Sequence, residues 1–139
     1  MYKRKEKDGR VLCMAERQII FRGQRVDNDE WTEGYLFKHW NRTFILWGMT
    51  GDVPNMVEVK PGTVRQFTGL VDKNGKMIFE GDIFAIPVGR IRIIHYVVSY
   101  DDKYGVWEPF GDGDCGFYSK TIEIIGNIYD NKDLLEGKE

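Results

Sequence analysis

The chain has 139 residues, 42% hydrophobic and 30% charged, with a formal net charge of -2. That length suits one soluble domain, or two small subdomains on a shared core, with no need of disulfide or metal staples. The charge balance disfavours nucleic acid as the main ligand, no apolar run approaches a membrane span, and Met1-Tyr2-Lys3-Arg4-Lys5 does not open a secretory segment.

In chain order, residues 3–10 form a basic run, Lys3, Arg4, Lys5, Lys7 and Arg10, interrupted by Glu6 and Asp8. Runs of this kind are usually solvated, so residues 1–17 read as a disordered basic extension. Gln18 to Arg22 reads as a strand stopped by Gly23, Asp27 to Glu30 as a turn, and Trp31 to Phe37 as an alternating, half-buried strand. Thr43 to Trp47 is a further strand, Thr50 to Asn55 a cluster of breakers, and Met56 to Val59 a short strand ended by Pro61-Gly62.

The most strongly specified stretch is Gln66 to Ile83. Two apolar runs flank Asn74-Gly75, which predicts a hairpin with positive φ at both central positions. Asp72 is placed to hold its own turn backbone. Gly81-Asp82 predicts a bend that carries Ile83 to Ile86 out of the hairpin plane.

Arg90 to Tyr100 is the longest strand candidate, turned by Asp101-Asp102-Lys103 into a short strand at Tyr104 to Trp107. Gly111 to Gly116 is a loop, Phe117 to Ile125 is β-prone, and Asp130 or Asn131 is placed to cap one helical turn through Leu135. No long window has helical periodicity. Many short strands with regular turns predict an all-β sandwich or small barrel. Pro61-Gly62 divides an N-terminal β-subdomain, residues 18–62, from a C-terminal barrel-like β-subdomain, residues 63–139, and the two can form one compact unit.

Chemistry-bearing constellations are sparse. Cys13 and Cys115 lack paired spacing, so zinc is not expected; one disulfide between them is open but not implied, and in a reducing cytosol both thiols are expected free. Glu80 and Asp82 flank the Gly81 bend, where a carboxylate more often binds backbone N–H groups than does acid–base work. Asp112-Gly113-Asp114 lacks the ligand series of a calcium loop. His95 lies in an apolar strand without an orienting partner or nucleophile. No catalytic residue, metal or cofactor is expected. The aromatics Tyr100, Tyr104 and Trp107, grouped about one turn, are the candidate binding surface. Lys3, Arg4 and Lys5 are the candidate nucleic-acid arm.

Three blocks in order span the chain from Gln18 onward. The first is Ile20-Phe21-Arg22-Gly23 with Asp27, Trp31 and Gly34-Tyr35. The second is Thr63-Val64, Gln66 to Leu70, Asp72, Asn74-Gly75-Lys76 and Ile78 to Ile83. The third is Ile124 to Tyr129 with Asn131 and Leu134-Leu135. Together they resemble the YopX family of phage and prophage proteins. The resemblance implies a mostly β protein of a mobile element, with a barrel-like module of SH3-like topology. It carries over no activity, cofactor or catalytic residue, and the basic run before Met14 departs from the usual family start.

The expectation is therefore a small barrel-like, SH3-like β-module with an additional N-terminal β-subdomain and a short C-terminal helical turn. It is expected to act in the bacterial cytoplasm, without catalysis, by contact with a protein partner or as a homo-oligomer. The alternative is a nucleic-acid accessory protein using the basic arm and exposed aromatics. A small hydrolase built on Glu80, Asp82 or His95 ranks last.

Overall fold

The structure is a computed structural model. It describes the backbone of residues 3–5 and 11–13, and residues 17–110 and 117–135 in full. The described residues are all-β, with helical turns of three or four residues only. Strands β1 (Lys3–Lys5) and β2 (Val11–Cys13) pair with each other. Next come β3 (Phe21–Gln24), β4 (Trp31–His39), β5 (Arg42–Thr50) and β6 (Val53–Glu58). They are followed by β7 (Arg65–Val71), β8 (Met77–Phe79), β9 (Asp82–Val88) and β10 (Arg92–Val97). The last three are β11 (Ser99–Asp101), β12 (Val106–Glu108) and β13 (Ile124–Asn127).

A six-stranded sheet has the order β6-β5-β4-β3-β7-β8, and a three-stranded sheet the order β10-β9-β13. A two-stranded sheet pairs β11 with β12. The large sheet runs across Pro61-Gly62, because β3 pairs with both β4 and β7. The expected barrel-like enclosure is not formed by the described residues: the sheets stay open. Chain direction changes at Glu80-Gly81, between β8 of the large sheet and β9 of the small one. Gly81 holds φ +87, a backbone that L side chains rarely adopt.

The reversal before this bend differs from the expected two-residue turn. Gly75 has φ +82, while Asn74 is not among the positive-φ residues. The Asp72 N–H donates to the Lys76 carbonyl and the Gly75 N–H to the Asp72 carbonyl. This is a three-residue loop, with a tight turn completed by one left-handed glycine. Asp72 is the reason. Its Oδ1 accepts the N–H groups of Asn74 and Lys76, both at 2.9 Å, and Oδ2 reaches the Ile124 N–H at 3.0 Å. Burial alone would raise this carboxyl, but those three N–H donors hold it below its ordinary value.

Residues 90–100 do not form one strand. β10 follows β9 as far as Val97 opposite Ile83. Val98 is then buried, and its N–H and carbonyl bind Asp82 and Gly81 at the bend. The chain leaves the sheet there to make β11. The turn predicted near Leu135 is present as a 3-10 turn at Lys132–Leu135. Asn131 does not cap it with its side chain; that Oδ1 accepts the Asn127 N–H instead.

The core lies between the two larger sheets. Ile78, Phe84, Val98, Ile122 and Ile124 form a buried cluster, with Tyr96, Trp107, Phe110 and Phe117 packed around it. Phe84 is its hub, with ring centroids 5.4 Å from Tyr96, 5.8 Å from Phe110 and 5.5 Å from Phe117. Such pairs add roughly 0.5–1.5 kcal/mol each beyond burial.

Beside the core sits a buried ion pair. Arg65, only 1% exposed, donates from Nη1 to Asp82 Oδ1 at 2.7 Å. The other oxygen of Asp82 accepts the Phe79 N–H at 2.8 Å. The guanidinium lies 4.5 Å from the Trp31 ring, 5.7 Å from Tyr129 and 5.9 Å from Phe79. Burial pushes the Asp82 carboxyl above its ordinary value, against the pull of the Phe79 N–H and Arg65. Trp31, Phe79 with Asp82, and Tyr129 come one from each of the three sequence blocks. Arg65, which they enclose, belongs to none of them.

Candidate functional site: an open aromatic face

Of the three aromatics singled out in the sequence, Tyr100 and Trp107 meet, and Tyr104 stands on the turn between their strands. Tyr100 and Trp107 are cross-strand partners on β11 and β12, with ring centroids 4.9 Å apart. Asp101 shapes the turn between them by accepting the N–H groups of Lys103 and Tyr104. Tyr104 is exposed, with Lys103 Nζ 5.2 Å over its ring. Trp107 leans on the core. Together with Arg17, Gln66, Thr68 and Glu80, the Tyr100–Trp107 pair lines a groove of about 420 Å³.

The structure does not bring Glu80, Asp82 and His95 together. Glu80 lines that groove, Asp82 is buried against Arg65, and His95 stands on β10 opposite Ala85. For Lys3, Arg4 and Lys5 only the strand backbone is described. Most of the 1–17 extension, the Asp112-Gly113-Asp114 loop and Cys115 lie outside the described residues.

A larger surface went unread in the sequence. Cross-strand partners share a face of an antiparallel sheet. On β4, Tyr35, Phe37 and His39 alternate onto one face, opposite Leu46, Phe44 and Arg42 of β5. Met56 and Glu58 of β6 extend the same rows. This face is open: Tyr35 is 62% exposed and Phe37 44%. On the reverse face Ile45 and Thr43 are buried, Leu36 and Val57 are half-buried, and Lys38 near the strand end is exposed. Trp47, Met49 and Val53 add exposed apolar surface beyond a bulge between Leu46 and Gly48.

The rings form a chain. Phe37 is 6.1 Å from Phe44 and 6.0 Å from His39, and His39 is 5.6 Å from Trp40. Arg42 lies over Phe44 at 5.1 Å and is tied to Glu58 at 2.8 Å. Two further features leave room at this face. β3 pairs with β4 only as far as Gly34, so among the described residues β4 from Tyr35 onward has β5 alone as a neighbour. The chain before β3 turns instead toward β7, where the Phe67 N–H meets the Ile20 carbonyl. The resulting cleft, about 550 Å³, is lined by residues 17–21 with Tyr35 and Leu36.

Strict alternation on β4 was the available signal for this face. Alternation shows which residues share a face, but not which face the rest of the molecule leaves uncovered.

The comparisons with known proteins follow the same architecture. The sequence profile of the YopX protein family matches residues 14–136. The crystal structure of protein EF1440 from Enterococcus faecalis superposes with a TM-score of 0.54 at 29% identity. That match covers 87% of this chain and 100% of the other. No protein with a curated description is similar to the chain in sequence. The match to the family profile runs through all three sequence blocks and through the residues that enclose Arg65: the chain belongs to the YopX protein family.

Proposed function

We propose that this chain is a non-enzymatic binding module that works by contact with a protein partner through the open face of β4, β5 and β6. The observation that carries the reading is the contrast between a reverse face on which Ile45 and Thr43 are buried and a front face of exposed Tyr35, Phe37 and Met56. A contiguous apolar patch of this kind on a small protein is commonly an interaction site. Aromatic and methionine side chains are the types enriched at such contacts. β6 is an edge strand, so a second copy of the chain can be the partner, with Pro54 limiting direct strand pairing. The finer expectations belong to the same proposal: a phage or prophage module of SH3-like character acting in the bacterial cytoplasm. The nucleic-acid alternative rests on Lys3, Arg4 and Lys5, whose side chains lie outside the described residues.

The test compares the native chain with Phe37→Glu, which puts a charge in the middle of the face. Cross-linking with mass spectrometry in the bacterial host identifies the partner, and light scattering reports self-association. The expected result is a defined complex with the native chain that Phe37→Glu loses while its thermal unfolding stays cooperative. An identical set of contacts for both chains would sink the proposal.

A further inference from the structure

Trp40 stands where the backbone disfavours it. It and Asn41 form the two-residue link between β4 and β5, with φ +54 and +62. Links of this geometry are ordinarily made of Asn, Asp and Gly. Asn41 fits that rule. A bulky ring at the first position does not, and residues held in this region commonly mark functional sites. Trp40 is also 82% exposed, and its ring contact among the described residues is the edge of His39. Nothing among the described residues recovers either cost.

The surroundings indicate what would recover them. A groove of about 380 Å³ beside Trp40 is lined by Lys38, His39, Asn41, Arg42 and Thr43. Two of those residues are cations, and no carboxylate is among the described lining. Arg42 is occupied by Glu58, while Lys38 has no ion partner among the described residues. The rings of His39, Phe37 and Phe44 connect this groove to the open face.

Resting on the proposed function, we infer that the β4–β5 tip is the anchor of the contact. The groove receives a partner protein segment in which an acidic residue adjoins an apolar one. Its carboxylate meets Lys38, and its apolar neighbour packs on the Trp40 ring. Exposed tryptophans that anchor interfaces in this way carry a disproportionate share of the affinity. A protein segment fits better than single-stranded nucleic acid. On the open sheet face Arg22 and Arg42 are each paired with a carboxylate, Glu33 and Glu58, so the described residues offer no row of free cations there for a phosphate backbone to track.

The test uses the full chain to select from a displayed library of random peptides of about twelve residues, enough to fill such a groove. Selected sequences are expected to combine an apolar or aromatic residue with an excess of Asp and Glu. A synthesised winner is expected to bind Trp40→Gly at least about thirtyfold more weakly, the loss typical of a hot-spot residue. Lys38→Glu should weaken binding and shift selection toward Lys and Arg. Glycine suits the left-handed position, so Trp40→Gly should keep or raise the thermal midpoint.

The inference falls if no peptide is enriched, or if the winners lack acidic excess. It also falls if Trp40→Gly binds equally well or lowers the thermal midpoint, or if oligo(dT) binds more tightly than the best peptide. Loss of the cellular complex in Phe37→Glu but not in Trp40→Gly would leave the binding face standing and remove Trp40 as its anchor.

Discussion

At the scale of single residues, two buried carboxylates act with opposite sign. Removing one member of a buried ion pair strands the other charge, so Asp82→Ala should cost about 3–5 kcal/mol in urea or thermal unfolding. The double replacement Arg65→Met with Asp82→Leu should cost less than Asp82→Ala alone. It removes both charges and leaves mainly the Phe79 N–H unsatisfied, worth about 1–3 kcal/mol. An equal or greater loss in the double variant would show that the pair itself, rather than the stranded charge, holds the bend. Asp72 governs the acid limb. Its folded carboxyl titrates below the ordinary value of 3.8, so the stability it adds is complete above that value and is lost as pH falls through the folded value. Asp72→Asn should therefore lose most stability near neutral pH, and its deficit should shrink as pH falls below about 4. A pH-independent deficit would contradict the N–H cage as the cause. Asp82 runs the other way, because its folded value lies above 3.8: its contribution is complete below 3.8 and declines as pH rises through the folded value.

At the scale of elements, Gly81 and Gly75 separate conformation from packing. Both hold positive φ, +87 and +82. A Cβ on Gly75 would meet nothing within 4 Å, whereas on Gly81 it would lie 3.3 Å from Tyr129 and 3.4 Å from Arg65 and Ile128. Gly75→Ala should cost about 1 kcal/mol, the strain of the left-handed backbone alone. Gly81→Ala should cost more, toward about 3 kcal/mol, because the Arg65 enclosure must also shift. Equal midpoint losses in a denaturant titration would mean that the enclosure yields freely. The elements themselves differ in how far they could be read. The Gly81-Asp82 bend and the Asp72 turn were legible because their signals are local: a glycine and a short carboxylate within a few residues of the groups they serve. The break at Val98 was not, since it depends on hydrogen bonds to Gly81 and Asp82 across the sheet. The β4–β5 link was missed for a different reason, because Trp40 is a residue that turns avoid.

At the scale of the whole molecule, the open sheet face organises the functional reading. The six-stranded sheet gives one side of β4 and β5 to a buried core that includes Ile45 and leaves the other to Tyr35, Phe37 and Met56. The expected loss of complex in Phe37→Glu and the expected loss of peptide binding in Trp40→Gly belong to this scale, since both depend on how sheets are stacked. The Tyr100–Trp107 groove provides a comparison. Trp107 is shared with the core, so Trp107→Ala should lower stability by about 3 kcal/mol or more, whatever it does to binding. Tyr104→Ala, on an exposed turn, should leave unfolding almost unchanged. Equal thermal midpoints for the two variants would show that Trp107 is not a core residue.

The sequence by itself determined the all-β class, the positions of most strands, the bend at Gly81-Asp82 and the family. The first three depend on residues near one another in the chain, through period-two alternation or through turn chemistry, and the family on the order of three blocks along it. Only the tertiary structure decided that Arg65 and Asp82, 17 positions apart, meet inside the protein. It alone decided that the sheets of the described residues stay open and that the front of β4 to β6 lies uncovered. Burial is set by what packs against a surface, and alternation along one strand carries no information about the neighbour that is missing.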